Sequence, residues 1–289
     1  MDLNQACGQR GFPTPRHEAA IGAAAQVLLL ALLAATVGLG AAGWLAGLVF
    51  GAGTWVVLTR ALDRTGAHRL GPANRVTLAR TLLVGGVTAL VAEAFGGSRP
   101  VLPLIALTAV ALVLDAVDGR VARRTDTATP LGARFDMEVD AALILVLSVD
   151  AAVRFGPWVL LIGAMRYAFV VAARGLCWLG APLPPRTGRK AVAAFQGIAL
   201  LLATAPFLPP LVRAGLVLTA LAALTWSFGR DVRWLYRFGD RTGAGPLTGA
   251  GAPPRRGPAR PVYATLGPQR IPMYTHPVPS SSVEKVTGM

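Results

Sequence analysis

Eight apolar stretches separated by short polar segments set the pattern of the chain, at roughly 19–37, 44–58, 76–95, 101–119, 135–152, 156–179, 191–207 and 210–228. Most approach or exceed the ~20 residues that a helix needs to span hydrocarbon. A backbone in lipid must satisfy its hydrogen bonds internally, so each stretch predicts a helix. The expected fold class is all-α, a polytopic membrane helical bundle. Residues 1–18 are polar and read as an N-terminal tail. From about Arg230 the chain turns rich in Gly, Pro and Arg. Such a composition buries too little apolar surface to fold, and residues 238–289 are expected to form a disordered basic tail. A cleaved signal peptide is the alternative reading of the first stretch, which is long and has no evident cleavage site.

Composition sharpens this picture. Of the 289 residues, 54% are hydrophobic and only 15% charged, against ~25% charged in water-soluble domains. A net charge of +14 would suggest nucleic acid in a soluble protein. Here the basic residues fall in short loops between apolar stretches, so no nucleic-acid partner is expected and membrane lipid takes that place. With a cytoplasmic N-terminus, segments 1–18, 60–75, 120–134, 174–190 and 230–289 hold 23 of the 28 Lys and Arg residues. The opposite side holds Arg99, Arg154 and Arg213, while Arg80 and Arg166 fall within spans. That asymmetry predicts a multi-pass cell-membrane protein with both termini cytoplasmic. The two cysteines, Cys7 and Cys177, have neither zinc-site spacing nor support for a disulfide.

Carboxylates are scarce, yet Asp115, Asp118, Asp136 and Asp140 cluster around one cytoplasmic loop. An aspartate deep in a span costs about 2.5–3.5 kcal/mol, and four unpaired ones on the order of 10 kcal/mol. They are therefore expected near the interface, facing a watery cavity and neutralised by something cationic. Spacings of three and four place each pair on one helix face, and the short Pro130-containing connection suggests antiparallel neighbouring helices. Oxygen donors without His or Cys suit hard divalent cations, Mg²⁺ or Mn²⁺. Gly119, Ala122 and Gly132 leave room for a flat, bulky ligand, and Arg123 supplies a positive charge near phosphates. Together these features suggest transfer chemistry on a lipid-linked phosphate.

The segment D-A-V-D-G-R-V-A-R, then eight residues, then G-A-R-F-D-M-E-V-D resembles the signature of the CDP-alcohol phosphatidyltransferases, D-x2-D-G-x2-A-R-x8-G-x3-D-x3-D. The resemblance covers roughly residues 72–235. It implies a six-helix catalytic core, placed here at 60–237, preceded by a transmembrane hairpin over 19–59 that lies outside the family pattern. It also implies transfer of a phosphatidyl group from CDP-diacylglycerol to an alcohol acceptor, with release of CMP, in phospholipid biosynthesis. The active site would be cytoplasmic. Asp115, Asp118, Asp136 and Asp140 are implied ligands of a two-metal centre, and Asp140 the general base. Gly119, Ala122 and Gly132 would border the donor, with Arg123 and Thr129 contacting it. Asn74 and Thr77, in A-N-R-V-T-L-A-R, resemble the donor-binding segment of the first core helix. The acceptor stays open among glycerol phosphate, inositol phosphate, phosphatidylglycerol and others, and a homodimer is left open too.

Some residues admit two readings at this level. Glu138 points away from the Asp136/Asp140 face, as a solvated or supporting group would. Arg166, near the middle of its span, is either functional or paired with a carboxylate on a neighbouring helix. Asp150 is expected at the far interface. Arg186, Arg189 and Lys190 are either ordinary cytoplasmic charge or a pocket for an anionic acceptor. A transporter or cation channel with an acidic vestibule is the rival from another class. Such a protein would more naturally place ionisable or broken-helix features at the midplane.

Overall fold

The computed structural model describes residues 15–65, 72–125, 130–180, 187–238, 262–264 and 271–273, the side chains of some helix ends excepted. Each apolar stretch folds as a helix: α1 (Pro15–Val37), α2 (Ala41–Thr65), α3 (Pro72–Ala94), α4 (Val101–Thr125), α5 (Pro130–Phe155), α6 (Leu160–Gly175), α7 (Thr187–Thr204) and α8 (Pro210–Phe238). Proline opens α1, α3, α5 and α8, where its missing N–H is not needed and its fixed φ suits the first turn. Gly38, at φ 79°, turns the chain between α1 and α2, a conformation that only glycine adopts without strain. The sixth stretch carries a 3-10 turn at each end. Gly156, at φ 101°, leads into a 3-10 turn at Pro157–Val159, and a second turn at Cys177–Gly180 follows α6.

Two compact units emerge, Met1–Phe169 with Arg186–Gly229, and Val170–Pro185 with Arg230–Met289. The smaller unit contains the edge-to-face ring pair Trp178–Tyr236, with centroids 5.7 Å apart. It also contains two three-residue strands, β1 (Val262–Ala264) and β2 (Ile271–Met273), paired antiparallel within the tail.

In the larger unit α3 is the central helix. It packs extensively against α2, α4 and α5, and also against α1. Small residues allow these approaches. A Cβ on Gly47 of α2 would stand 3.2 Å from Ala89 Cβ of α3, and one on Gly85 of α3 2.5 Å from Gln26 Nε2 of α1. Leu30, Val84, Val87, Leu90, Leu143 and Leu200, from α1, α3, α5 and α7, belong to one buried core. The N-terminal hairpin therefore braces α3, and Glu93 of α3 in return accepts a hydrogen bond from Gly40 N at 2.8 Å. On the other side of α5, a Cβ on Gly163 of α6 would stand 2.5 Å from Leu145 Cα.

Among the described residues four segments are long and apolar enough to cross a membrane: Ala41–Arg60, Val76–Ala94, Pro157–Gly175 and Pro210–Arg237. Ile21–Val37 and Val101–Val117 are shorter apolar helices. In α5, Asp140 and Asp150 bound the longest uncharged run. Asp150, near the far end of α5, is buried within the protein, with 2% of its surface exposed. Its Oδ2 lies 3.3 Å from Arg154 Nη2, and Arg154 Nη1 also donates to Thr204 O at 3.1 Å. Arg99 and Arg213 lie near enough for their charges to act on Arg154. The three arginines assigned from sequence to one side are thus gathered in space.

Candidate metal and phosphate-transfer site

The three motif aspartates whose side chains are described converge. Asp115 comes from α4, Asp136 and Asp140 from α5, each partly buried, and their carboxylate oxygens lie within 4.8 Å of one another. One turn of α5 brings Asp136 and Asp140 onto a single face, as their spacing requires. The motif helices do not pack mainly on each other, however. The main partner of both α4 and α5 is α3, and it delivers a fourth group that the motif does not contain.

That group is Arg80, whose side chain is wholly buried. Its Nη1 lies 3.0 Å from Asp115 Oδ1 and also donates to Asp136 Oδ1, while Nη2 donates to Asp140 Oδ1. Its Nε has no hydrogen-bond partner among the described residues. A planar fork of donors is suited to several carboxylates at once, as a lysine ammonium is not. Arg80 also answers the electrostatic question that the sequence raised, since it partly neutralises carboxylates in a poorly polarisable surrounding. Among the described residues one guanidinium faces three carboxylates, an excess of two acidic groups. The residues present therefore fit a hard divalent cation, through oxygen donors and surplus negative charge and without a His or Cys in the group.

Arg80 was the functional candidate that sequence reasoning passed over. The available signal was its place in the A-N-R-V-T-L-A-R stretch. Asn74, Thr77 and Arg80 follow one another at intervals of three, along one helix face. An ionisable residue in a span is in any case a functional candidate by default. Thr77 is itself buried, 2% exposed, and its carbonyl accepts from Thr81 Oγ1 at 2.8 Å.

The remaining expected residues divide into two groups. Gly132 lies in the first turn of α5, four residues before Asp136, and is partly buried. Asn74 lies on α3, and Asp118, Gly119, Ala122 and Arg123 lie on α4, but their side chains fall outside the described residues, as does Thr129 entirely. Glu138 stays out of the carboxylate cluster and pairs instead with Arg166 of α6, Oε1 to Nη2 at 2.6 Å. The paired reading of Arg166 is the one realised.

Comparison with known proteins agrees with this geometry. The family model for CDP-alcohol phosphatidyltransferase matches residues 70–228, more than half of the chain. Searches of curated proteins and of solved structures give no match. The match spans α3, α4 and α5, the three helices that bring Arg80 and the aspartates together. With four segments among the described residues long and apolar enough to cross a bilayer, and this match over most of its helical part, the chain is a multi-pass membrane protein and belongs to the CDP-alcohol phosphatidyltransferase family.

Proposed function

We propose that this protein transfers the phosphatidyl group of CDP-diacylglycerol to an alcohol acceptor and releases CMP. The observation that carries this reading is the convergence of Asp115, Asp136 and Asp140 from two helices to within 4.8 Å, on the residues that match the family. Asp118, one turn beyond Asp115 on α4, would complete the oxygen set for two Mg²⁺ or Mn²⁺ ions. Bound there, divalent cations would stabilise the negative charge that develops on the diphosphate as CMP departs. Asp140 takes the acceptor's hydroxyl proton as the new oxygen–phosphorus bond forms. The bond from phosphorus to the CMP oxygen breaks, and CMP leaves with the electron pair. Base catalysis by a carboxylate suits proton loss that accompanies attack. Asp140 is suited to this because its side chain is about one-third exposed, at 37%.

Asn74, Thr77, Gly119, Ala122, Thr129 and Gly132 would hold the donor, and Arg123 would face its phosphates. The charge asymmetry of the loops supports eight crossings, with the site and both termini cytoplasmic. The test is incubation of purified protein with CDP-diacylglycerol, Mg²⁺ and a panel of alcohols, followed by measurement of CMP. Release that requires a particular alcohol, stops on chelation and returns with Mg²⁺ or Mn²⁺ is expected. Failure to release CMP with any acceptor, or full turnover in excess chelator, contradicts the proposal.

A further inference from the structure

Arg80 is more than charge compensation for its neighbours. Its guanidinium is spread across the three carboxylates whose oxygens lie within 4.8 Å of one another, with Nη1 shared by Asp115 and Asp136 and Nη2 on Asp140. These oxygens belong to the carboxylates that the proposed metal centre needs, one oxygen of each being engaged by the guanidinium. A lone pair engaged by an N–H is not free to bind a cation, and a guanidinium and a divalent ion repel each other strongly at close range away from water. The arginine and a divalent ion therefore compete for the same three carboxylates, through repulsion and through the oxygen of each that the arginine holds. The rivalry cannot be relieved by proton loss, because an arginine stays protonated in proteins.

From this geometry we infer that Arg80 is a displaceable internal counterion, which holds the carboxylates together and gives up at least one of them when a divalent ion is bound. Its role is positioning: it sets metal affinity through Asp115, Asp136 and Asp140. The arrangement keeps strongly acidic helices assembled while limiting how tightly the site retains an ion. The inference rests on the proposal that these carboxylates hold metal.

The test is Mn²⁺ binding to the full-length protein in lipid nanodiscs without substrates, read from the electron paramagnetic resonance signal of free Mn²⁺. Arg80→Gln removes the rival, so its Mn²⁺ dissociation constant should fall by on the order of tenfold or more, since a buried ion pair that must be broken opposes binding by at least that much. Arg80→Lys keeps the charge but cannot span three carboxylates, and should lie between wild type and Arg80→Gln. A folded Arg80→Gln protein that binds Mn²⁺ no more tightly than wild type overturns the inference. If Arg80→Gln does not assemble, Arg80→Lys decides alone, and affinity equal to or weaker than wild type overturns it. A different result identifies failure of the underlying reading: wild-type protein that binds no Mn²⁺ and releases CMP regardless of chelator has no metal centre, and the inference falls with it.

Discussion

Replacing Asp140 by Asn separates a base from a ligand. The amide keeps the size of the side chain and one oxygen, so metal binding weakens without vanishing, but it cannot take up the acceptor's proton. General-base catalysis contributes about 10²–10⁴-fold, or roughly 2.7–5.5 kcal/mol at ~1.36 kcal/mol per tenfold. The structure supplies the comparison. Among the described residues Asp140 alone accepts from Arg80 Nη2, whereas Asp115 shares Nη1 with Asp136. Asp115→Asn therefore leaves both ends of the guanidinium paired, and its main effect is one weaker cation ligand. Asp140→Asn loses the proton acceptor and the carboxylate on Nη2 together. The assay is CMP release as a function of Mg²⁺ for both variants. Asp115→Asn should shift the curve to higher Mg²⁺ and recover part of its rate, while Asp140→Asn should level off about a hundredfold or more below wild type at any Mg²⁺ concentration. Recovery of the Asp140 variant to near wild-type rate at high Mg²⁺ would refute its role as base and leave it as a ligand only.

Three further outcomes test the packing and the topology. Gly163→Leu would place a Cβ 2.5 Å from Leu145 Cα, so α5 and α6 must separate at a cost of about 1–3 kcal/mol. Gly215→Ala, which meets nothing within 4 Å, should instead gain roughly 0.5–1 kcal/mol of helix stability; equal melting temperatures for the two variants in detergent would contradict the close approach. Asp150→Ala strands Arg154 without its carboxylate, and should cost up to about 3 kcal/mol, because Arg154 retains Thr204 O and some access to water. An Asp150→Leu/Arg154→Met double variant should recover most of that loss, and no recovery in thermal unfolding would show that the ion pair is not the cause. Finally, a reporter fused after Met289 should read cytoplasmic, and an extracytoplasmic signal would invert the proposed orientation of the site.

The sequence by itself determined where each helix lies, because insertion into lipid and the hydrogen-bonding needs of the backbone are local constraints. The 3-10 turns at the two ends of the sixth stretch, Pro157–Val159 and Cys177–Gly180, depended on backbone geometry that hydropathy does not register. The aspartate constellation was equally legible: three- and four-residue spacings place Asp115 and Asp118, or Asp136 and Asp140, on one face of one helix whatever else the chain does. What spacing could not specify was which helices meet. Arg80 stands 56 residues before Asp136 and 60 before Asp140, and only packing of α3 against both α4 and α5 makes it their counterion. The same holds for Glu138, which finds Arg166 28 residues away, and for Asp150, buried beside Arg154 instead of facing water. It also holds for the N-terminal hairpin, which lies outside the family match yet packs on α3 through Gln26, Gly47 and Gly85. Helix contacts depend on where small residues let backbones approach and where a buried charge finds a partner. Both are decided between segments distant in sequence, and so by the tertiary structure alone.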